Sequence, residues 1–233
     1  MTSHAAHKPS GASHRRSVAL FGGTFDPVHA GHITVAQAAQ RRFHLDAIYF
    51  IPSARPPHKS QRELMPFVHR YAMVALACAD HPSFVPSLVE APTPGFSSHI
   101  FYTIDTVRKF HREHPEDHVY FIVGADQFLE IPTWKNYEAL LDACDFIIAS
   151  RPGFRLDALR LVIPPEKFGR AAAAAPPDTH KIVLRKSEIH LLTTVASHVS
   201  STEVRERLEK KQTIHGLVPA RVEEYILGQA LYR

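Results

Sequence analysis

The hydrophobic pattern of this chain alternates between two kinds of segment. Apolar runs at 18–21, 47–51, 119–123 and 146–149 have the length and the β-branched or aromatic content of buried strands. A weaker run at 84–89 is interrupted by Pro86, and two short late runs lie at 182–184 and 190–192. Residues 30–43, 67–79, 102–111 and 134–142 read instead as helices. Two more helices are predicted late in the chain, one after Ser200 and one over 219–227. Strand and helix in alternation predict an α/β fold with a doubly wound, mostly parallel sheet and right-handed crossovers. On such a sheet, ligands gather at the carboxyl ends of strands near the switch in strand order. The segments just after each strand are therefore where chemistry is expected.

The pattern lapses in three places. Residues 1–16 are polar and basic and read as a disordered tail, with no apolar stretch to make a secretory signal. Residues 52–66 hold four prolines and read as an exposed loop. Residues 151–181 hold Pro164-Pro165, an alanine run at 171–175 and Pro176-Pro177, and read as a peripheral helix with a loose insertion. The remainder, 17–233, is expected to be one domain with a variable insertion near 155–185.

Composition narrows the function classes. With 233 residues and 45% hydrophobic content, the chain can bury a core without staples and is not globally disordered. No apolar run approaches the ~18–20 residues that span a bilayer. Cys78 and Cys144 are the only cysteines, which argues against a disulfide framework or a cysteine zinc site and fits a reducing cytoplasm. The net charge of +4 suits an anionic ligand such as a nucleotide. The charge is too small and diffuse to indicate nucleic acid.

The segment after the first predicted strand is Gly22-Gly23-Thr24-Phe25-Asp26-Pro27-Val28-His29-Ala30-Gly31-His32. Three of the chain's ten glycines fall in it, and glycine lets a ligand approach the backbone. A helix starting at 30 would aim the free N–H groups of its first turn at the strand end, where an anion would sit. His29 and His32 would share one face of that turn, left open by Gly31. Two imidazoles, free N–H groups and no carboxylate base suit a phosphate. Zinc would need a third ligand, and none is near in sequence. The pattern is neither a Walker A loop nor a Gly-x-Gly-x-x-Gly dinucleotide turn. Asp26 and Pro27 read as shaping the turn.

This segment resembles the motif of the nucleotidyltransferase superfamily, whose His-x-Gly-His is His29-Ala30-Gly31-His32 here. Within it the chain is similar to the bacterial nicotinate-nucleotide adenylyltransferase family. The resemblance implies a Rossmann-like nucleotidyltransferase fold, with Gly22, Gly23, Thr24 and Phe25 binding ATP and both histidines on its phosphates.

A second match lies at Val199-Ser200-Ser201-Thr202-Glu203-Val204-Arg205. On its own this reads as a helix start with a Ser200/Glu203 capping box. It also offers hydroxyls, N–H groups and an arginine to phosphates. In the family this motif closes over ATP, which implicates Ser201, Thr202 and Arg205; valine at 199 replaces the family's isoleucine.

Three middle segments extend the likeness. Gly124 and Asp126 follow the clearest strand and match a Gly-x-Asp motif near the ribose and the acceptor. Trp134, the only tryptophan, matches a residue that stacks on the nicotinate ring. Thr103 matches a helix-start threonine that meets the nicotinate carboxylate. His58 and Lys59, in Pro56-Pro57-His58-Lys59, match a mobile loop that grips phosphates. Arg70 and Arg151-Pro152-Gly153 match family positions without an assigned role, and Lys135 is unassigned.

The resemblance thus implies adenylyl transfer from ATP to nicotinate mononucleotide, with His29, His32 and Arg205 as the catalytic residues. Mg²⁺ is expected to ride in on ATP without protein ligands of its own. Nucleic acid and membrane are not expected as partners, and a homo-oligomer is left open. The rival acceptor is nicotinamide mononucleotide, alone or in a dual-specificity enzyme. Trp134 and Thr103 count against other acceptors of the superfamily. A non-catalytic nucleotide-binding protein is the reading from another class, and the intact histidines and Arg205 count against it.

Overall fold

The computed structural model describes residues 15–54, 64–92, 100–169, 180–193 and 199–232. Inside its sheet runs β1 (Ser17–Gly23), whose Val18, Ala19 and Leu20 have no exposed surface. On one side β1 pairs in parallel with β2 (Ala47–Pro52), which pairs with the short β3 (Phe84–Pro86). On the other side it pairs in parallel with β4 (His118–Gly124), followed by β5 (Asp145–Ser150) and β7 (Glu188–Thr193). Among the described strands, only β6 (Lys181–Val183), at the edge, runs antiparallel. The order is β3-β2-β1-β4-β5-β7-β6, so the chain reverses its direction of travel between β1 and β4. The α/β, doubly wound expectation holds.

Alternation along the strands divides the core in two. Val18, Leu20, Phe121, Phe146 and Ile148 point to one face, packed by α3 (Thr103–Glu113), α4 (Ala125–Leu129), α5 (Tyr137–Leu141) and α6 (Leu156–Arg160). Ala19, Phe21, Phe50, Ile122 and Ile147 point to the other. That face is covered by α1 (Ala30–Phe43), α2 (Phe67–Cys78), α7 (Ser201–Glu209) and α8 (Ala220–Gly228). Helix α1 buries Gly31, Ala36 and Ala39, small residues that let it lie close to the sheet.

Several expectations need correction. The helix expected over 134–142 is only α5, because Asn136 takes a left-handed conformation at φ 51° and breaks it from Trp134. The strand expected over 84–89 ends at Pro86, and one further ladder bond, from the Ser87 N–H to the Phe50 carbonyl at 2.9 Å, follows it before the chain turns away. The stretch near 155–185 is not wholly peripheral. Its Leu156, Leu159, Ile163, Ile182 and Leu184 are all buried in the core. The alanine run and Pro176-Pro177 lie outside the described residues. No helix among the described residues is long and apolar enough to cross a membrane.

At the amino-terminal end of the sheet, Asp145 ties three strands together. It accepts from His118 Nε2 at 2.8 Å and from the Glu188 N–H at 2.7 Å. Burial would raise its pKa, but these bonds and the nearby His118 and His190 charges outweigh it and hold the carboxyl below its usual range. Asp145→Ala should therefore cost about 2 kcal/mol in urea unfolding at pH 7. The carboxyl ends of the strands, where a ligand is expected, should be unaffected in the folded variant, because they lie at the other end of β5. Unchanged stability would show that these strands do not need the carboxylate.

Candidate active site

The turn after β1 is held by groups that reach it from distant parts of the chain. Phe25 adopts a left-handed φ of 48° and turns its ring inward, where it is 2% exposed. The ring lies against Gly23, where an added Cβ would come within 3.0 Å of it. Gly23 thus makes room for the Phe25 ring. The Asp26–Pro27 peptide is cis. Arg70, only 1% exposed, spreads its guanidinium over backbone carbonyls. It donates to Thr24 at 2.7 Å, Ser53 at 2.8 Å, Met65 at 2.9 Å and Ala54 at 3.3 Å. Ser201 Oγ donates to the Pro27 carbonyl at 2.9 Å, and Arg205 Nη1 donates to the Asp26 carbonyl. Asp26 is buried and accepts from the Tyr232 hydroxyl at 2.7 Å, in keeping with a role in shaping the turn.

His29 stands at the N-cap of α1 and His32 three residues on, with ring centroids 3.7 Å apart. His32 Nδ1 accepts the His29 backbone N–H at 3.2 Å, so in the neutral ring Nε2 carries the proton. The Phe25 ring meets His32 edge-on at 4.9 Å. Burial pushes the His29 pKa down to about 4, so this imidazole is uncharged near neutrality.

The expectation of a free first turn in α1 is corrected. Besides the His29 N–H, the Ala30 N–H is taken by the Leu217 carbonyl at 2.8 Å and the His32 N–H by the His29 carbonyl at 3.0 Å. Gly31 keeps an N–H with no partner among the described residues. The capping box at α7 is half formed. Ser200 Oγ accepts the Glu203 N–H at 3.1 Å, but the Glu203 carboxylate turns to Arg207 at 3.0 Å. The N–H groups of Ser201 and Thr202 also find no partner among the described residues.

These pieces meet in a cleft of about 560 Å³ at the carboxyl ends of β1, β4 and β5. Of the residues expected to bind ATP, Gly22, Gly23, Thr24, Phe25, His29, His32, Gly124, Asp126, Ser201 and Thr202 all line it. Arg205 is not on its wall; it braces the turn behind and also donates to Thr202 Oγ1 at 3.1 Å. Thr103 and Trp134 are not on the wall either. Thr103 opens α3 at its first helical position, and Trp134 is half-buried edge-on to Phe121. Lys135 joins their two segments: its Nζ lies 4.0 Å from the Tyr102 ring centroid and 3.5 Å from Asp105. His58 and Lys59 lie outside the described residues. Asp126 is second in α4, whose N-cap is Gly124.

The cytidylyltransferase-like family profile matches residues 20–207. A relative from Moorella thermoacetica, named "Probable nicotinate-nucleotide adenylyltransferase", is 44% identical over 93% of this chain and 91% of its own. The chain belongs to the nicotinate-nucleotide adenylyltransferase family. A second member of that family, from Geobacter sulfurreducens, is 37% identical over 91% of this chain and 96% of its own. The fold of the family is shared by the Plasmodium falciparum nicotinic acid mononucleotide adenylyltransferase complexed with NaAD. It aligns with a TM-score of 0.70 at 20% identity, over 94% of this chain and 98% of that one.

Sequence reasoning about this adenylyltransferase missed the work of Arg70, Lys135 and Tyr232. Arg70 had a visible signal, as the only Lys, Arg, Asp or Glu in the otherwise apolar segment 67–78. Lys135 and Tyr232 had none.

The depressed His29 pKa ties stability to pH. Below its ordinary value of 6.5 the unfolded chain takes up a proton that the folded chain refuses until about pH 4. Stability present at pH 7 should thus fall by about 3 kcal/mol as pH drops from 6.5 to 4. Urea unfolding across this range should show a shallower slope in His29→Asn. Equal slopes would mean that His29 is not held neutral by its surroundings.

Proposed function

We propose that this chain transfers the adenylyl group of ATP to nicotinate mononucleotide, giving nicotinate adenine dinucleotide and pyrophosphate. The observation that carries this reading is the convergence of two imidazoles with the N–H groups of Gly31, Ser201 and Thr202 on one cleft. Those are anion donors from two helix starts, fixed before any ligand arrives. Family membership supplies the acceptor.

A phosphate oxygen of the mononucleotide attacks the α-phosphorus in line. A new P–O bond forms, the bond to the bridging oxygen breaks, and pyrophosphate leaves with that electron pair. The nucleophile is already an anion at neutral pH, so no strong base is required. Catalysis is then positioning plus stabilisation of charge on the phosphoryl oxygens. His32 donates from Nε2, since Nδ1 is committed to the backbone. His29 enters as a neutral donor, and a bound phosphate would raise its pKa from about 4. Arg205 acts from behind, through the Asp26 carbonyl and Thr202, and lends its charge to the site. Mg²⁺ would arrive on the ATP phosphates and add charge neutralisation there. Asp126, the one acid on the described cleft wall, is the group that would face its water shell. Thr103, at the start of α3, with Trp134 and Lys135 beside it, forms the region assigned to the nicotinate ring and its carboxylate. Lys59 and His58 are assigned to the acceptor phosphate.

His32→Ala should lower kcat by ~10²-fold with the fold intact, the scale seen when a donor to a developing oxyanion is removed. A near-normal kcat in the folded variant would remove His32 from the mechanism. The substrate is tested by pyrophosphate release from ATP and Mg²⁺ with either mononucleotide. Strong preference for the nicotinate form is expected, because a helix start favours a carboxylate over an uncharged amide. Preference for the amide would overturn the role given to Thr103.

A further inference from the structure

The Asp26 carboxylate and the half-buried Tyr232 phenol meet behind the cleft, and the reaction above uses neither. Asp26 is 3% exposed and is not on the cleft wall. Its Oδ1 accepts from the Tyr232 hydroxyl at 2.7 Å. The segment after α8 follows an uncommon path to make this bond. Ala230 and Tyr232 take left-handed φ values of 52° and 61°, which L side chains adopt at a cost. Leu231 between them is 8% exposed and packs into the core with Val222 and Ile226. The phenol is thus aimed at Asp26 by a strained backbone pinned at Leu231. Burial and the Asp26 charge push the phenol's pKa well up, so it remains a donor at any working pH.

Asp26 lies between the groups that matter. Its own carbonyl takes Arg205, the next carbonyl takes Ser201, and His29 follows three residues on. We propose that Tyr232 is a positioning residue for the ATP phosphates: by fixing the Asp26 carboxylate it sets the turn that places His29, Gly31 and the α7 start. The proposal rests on reading the cleft as an ATP site.

The test uses the full chain with Tyr232→Phe, which keeps the ring and removes only the hydroxyl. Affinity for a non-hydrolysable ATP analogue with Mg²⁺, read by calorimetry, should fall about tenfold. KM for the mononucleotide should stay within about twofold, a split that general loosening of the fold would not produce. Asp26→Asn should weaken the analogue similarly, and the double variant should be no weaker than the worse single one. Unchanged analogue affinity in Tyr232→Phe overturns the proposal, whatever its melting temperature. If the variant melts early and also binds weakly, the double variant decides: losses that simply add overturn the proposal, and losses that do not add support it. Failure of the unaltered chain to bind the analogue would instead sink the ATP reading, and is distinct from equal binding by both chains.

Discussion

The buried guanidinium of Arg70 is the interaction on which the rest of the site depends. Parallel strands that end side by side leave backbone carbonyls without ladder partners. Here the chain leaves β1 at Thr24 and β2 at Ser53 and Ala54, and one side chain accepts responsibility for all three carbonyls and for Met65 besides. Its planar fork of donors is suited to this in a way that a lysine ammonium is not. Its charge is balanced by Asp26 and extended over the face of Phe67, 5.6 Å from the ring centroid. A helix on one face of the sheet therefore fixes where two strands release the chain.

The same logic governs the second motif. Ser201 and Arg205 carry polar groups that a phosphate could use, yet in the structure they donate to the carbonyls of Pro27 and Asp26. The two motifs are one assembly, in which the later one holds the earlier one in shape. Beyond these supports, the N–H groups of Gly31, Ser201 and Thr202 find no partner among the described residues, and His32 lines the same cleft. Donors fixed in this way need little rearrangement when charge develops, which is how such sites stabilise it. The neutral state of His29 fits this picture, since two imidazoles 3.7 Å apart would repel if both were charged.

Much of this was legible in the sequence, for physical reasons. The boundaries of α1 follow from its alanines and the glycine turn before it, and β1 from an apolar run too short for a helix. The cleft wall was legible because its residues sit in contiguous motifs just after strands. The parts that were not legible depend on long-range geometry. Nothing local marks Tyr232 as a partner of Asp26, because they meet only through the fold. Arg205 reads as a phosphate ligand in sequence because its side chain's destination is set by a turn far upstream. The occupied N–H of Ala30 was hidden for the same reason, its acceptor being Leu217. Asn136 broke a plausible helix by adopting a conformation that asparagine permits but does not require.

The reach of these contacts has a consequence for how the protein is made. Ser201, Arg205 and Tyr232 lie 174, 179 and 206 residues downstream of the groups they hold. At a synthesis rate of ~5–20 residues per second, the turn after β1 waits on the order of ten to forty seconds before its last supports emerge. During that interval β1 and β2 can pair, but the carbonyls of Asp26 and Pro27 have no partners to fix them. A nascent chain that stalls before residue 201 holds the histidine pair without the frame that aims it. The turn after β1 therefore gains its full set of supports late, once residues 201–232 have been both translated and packed.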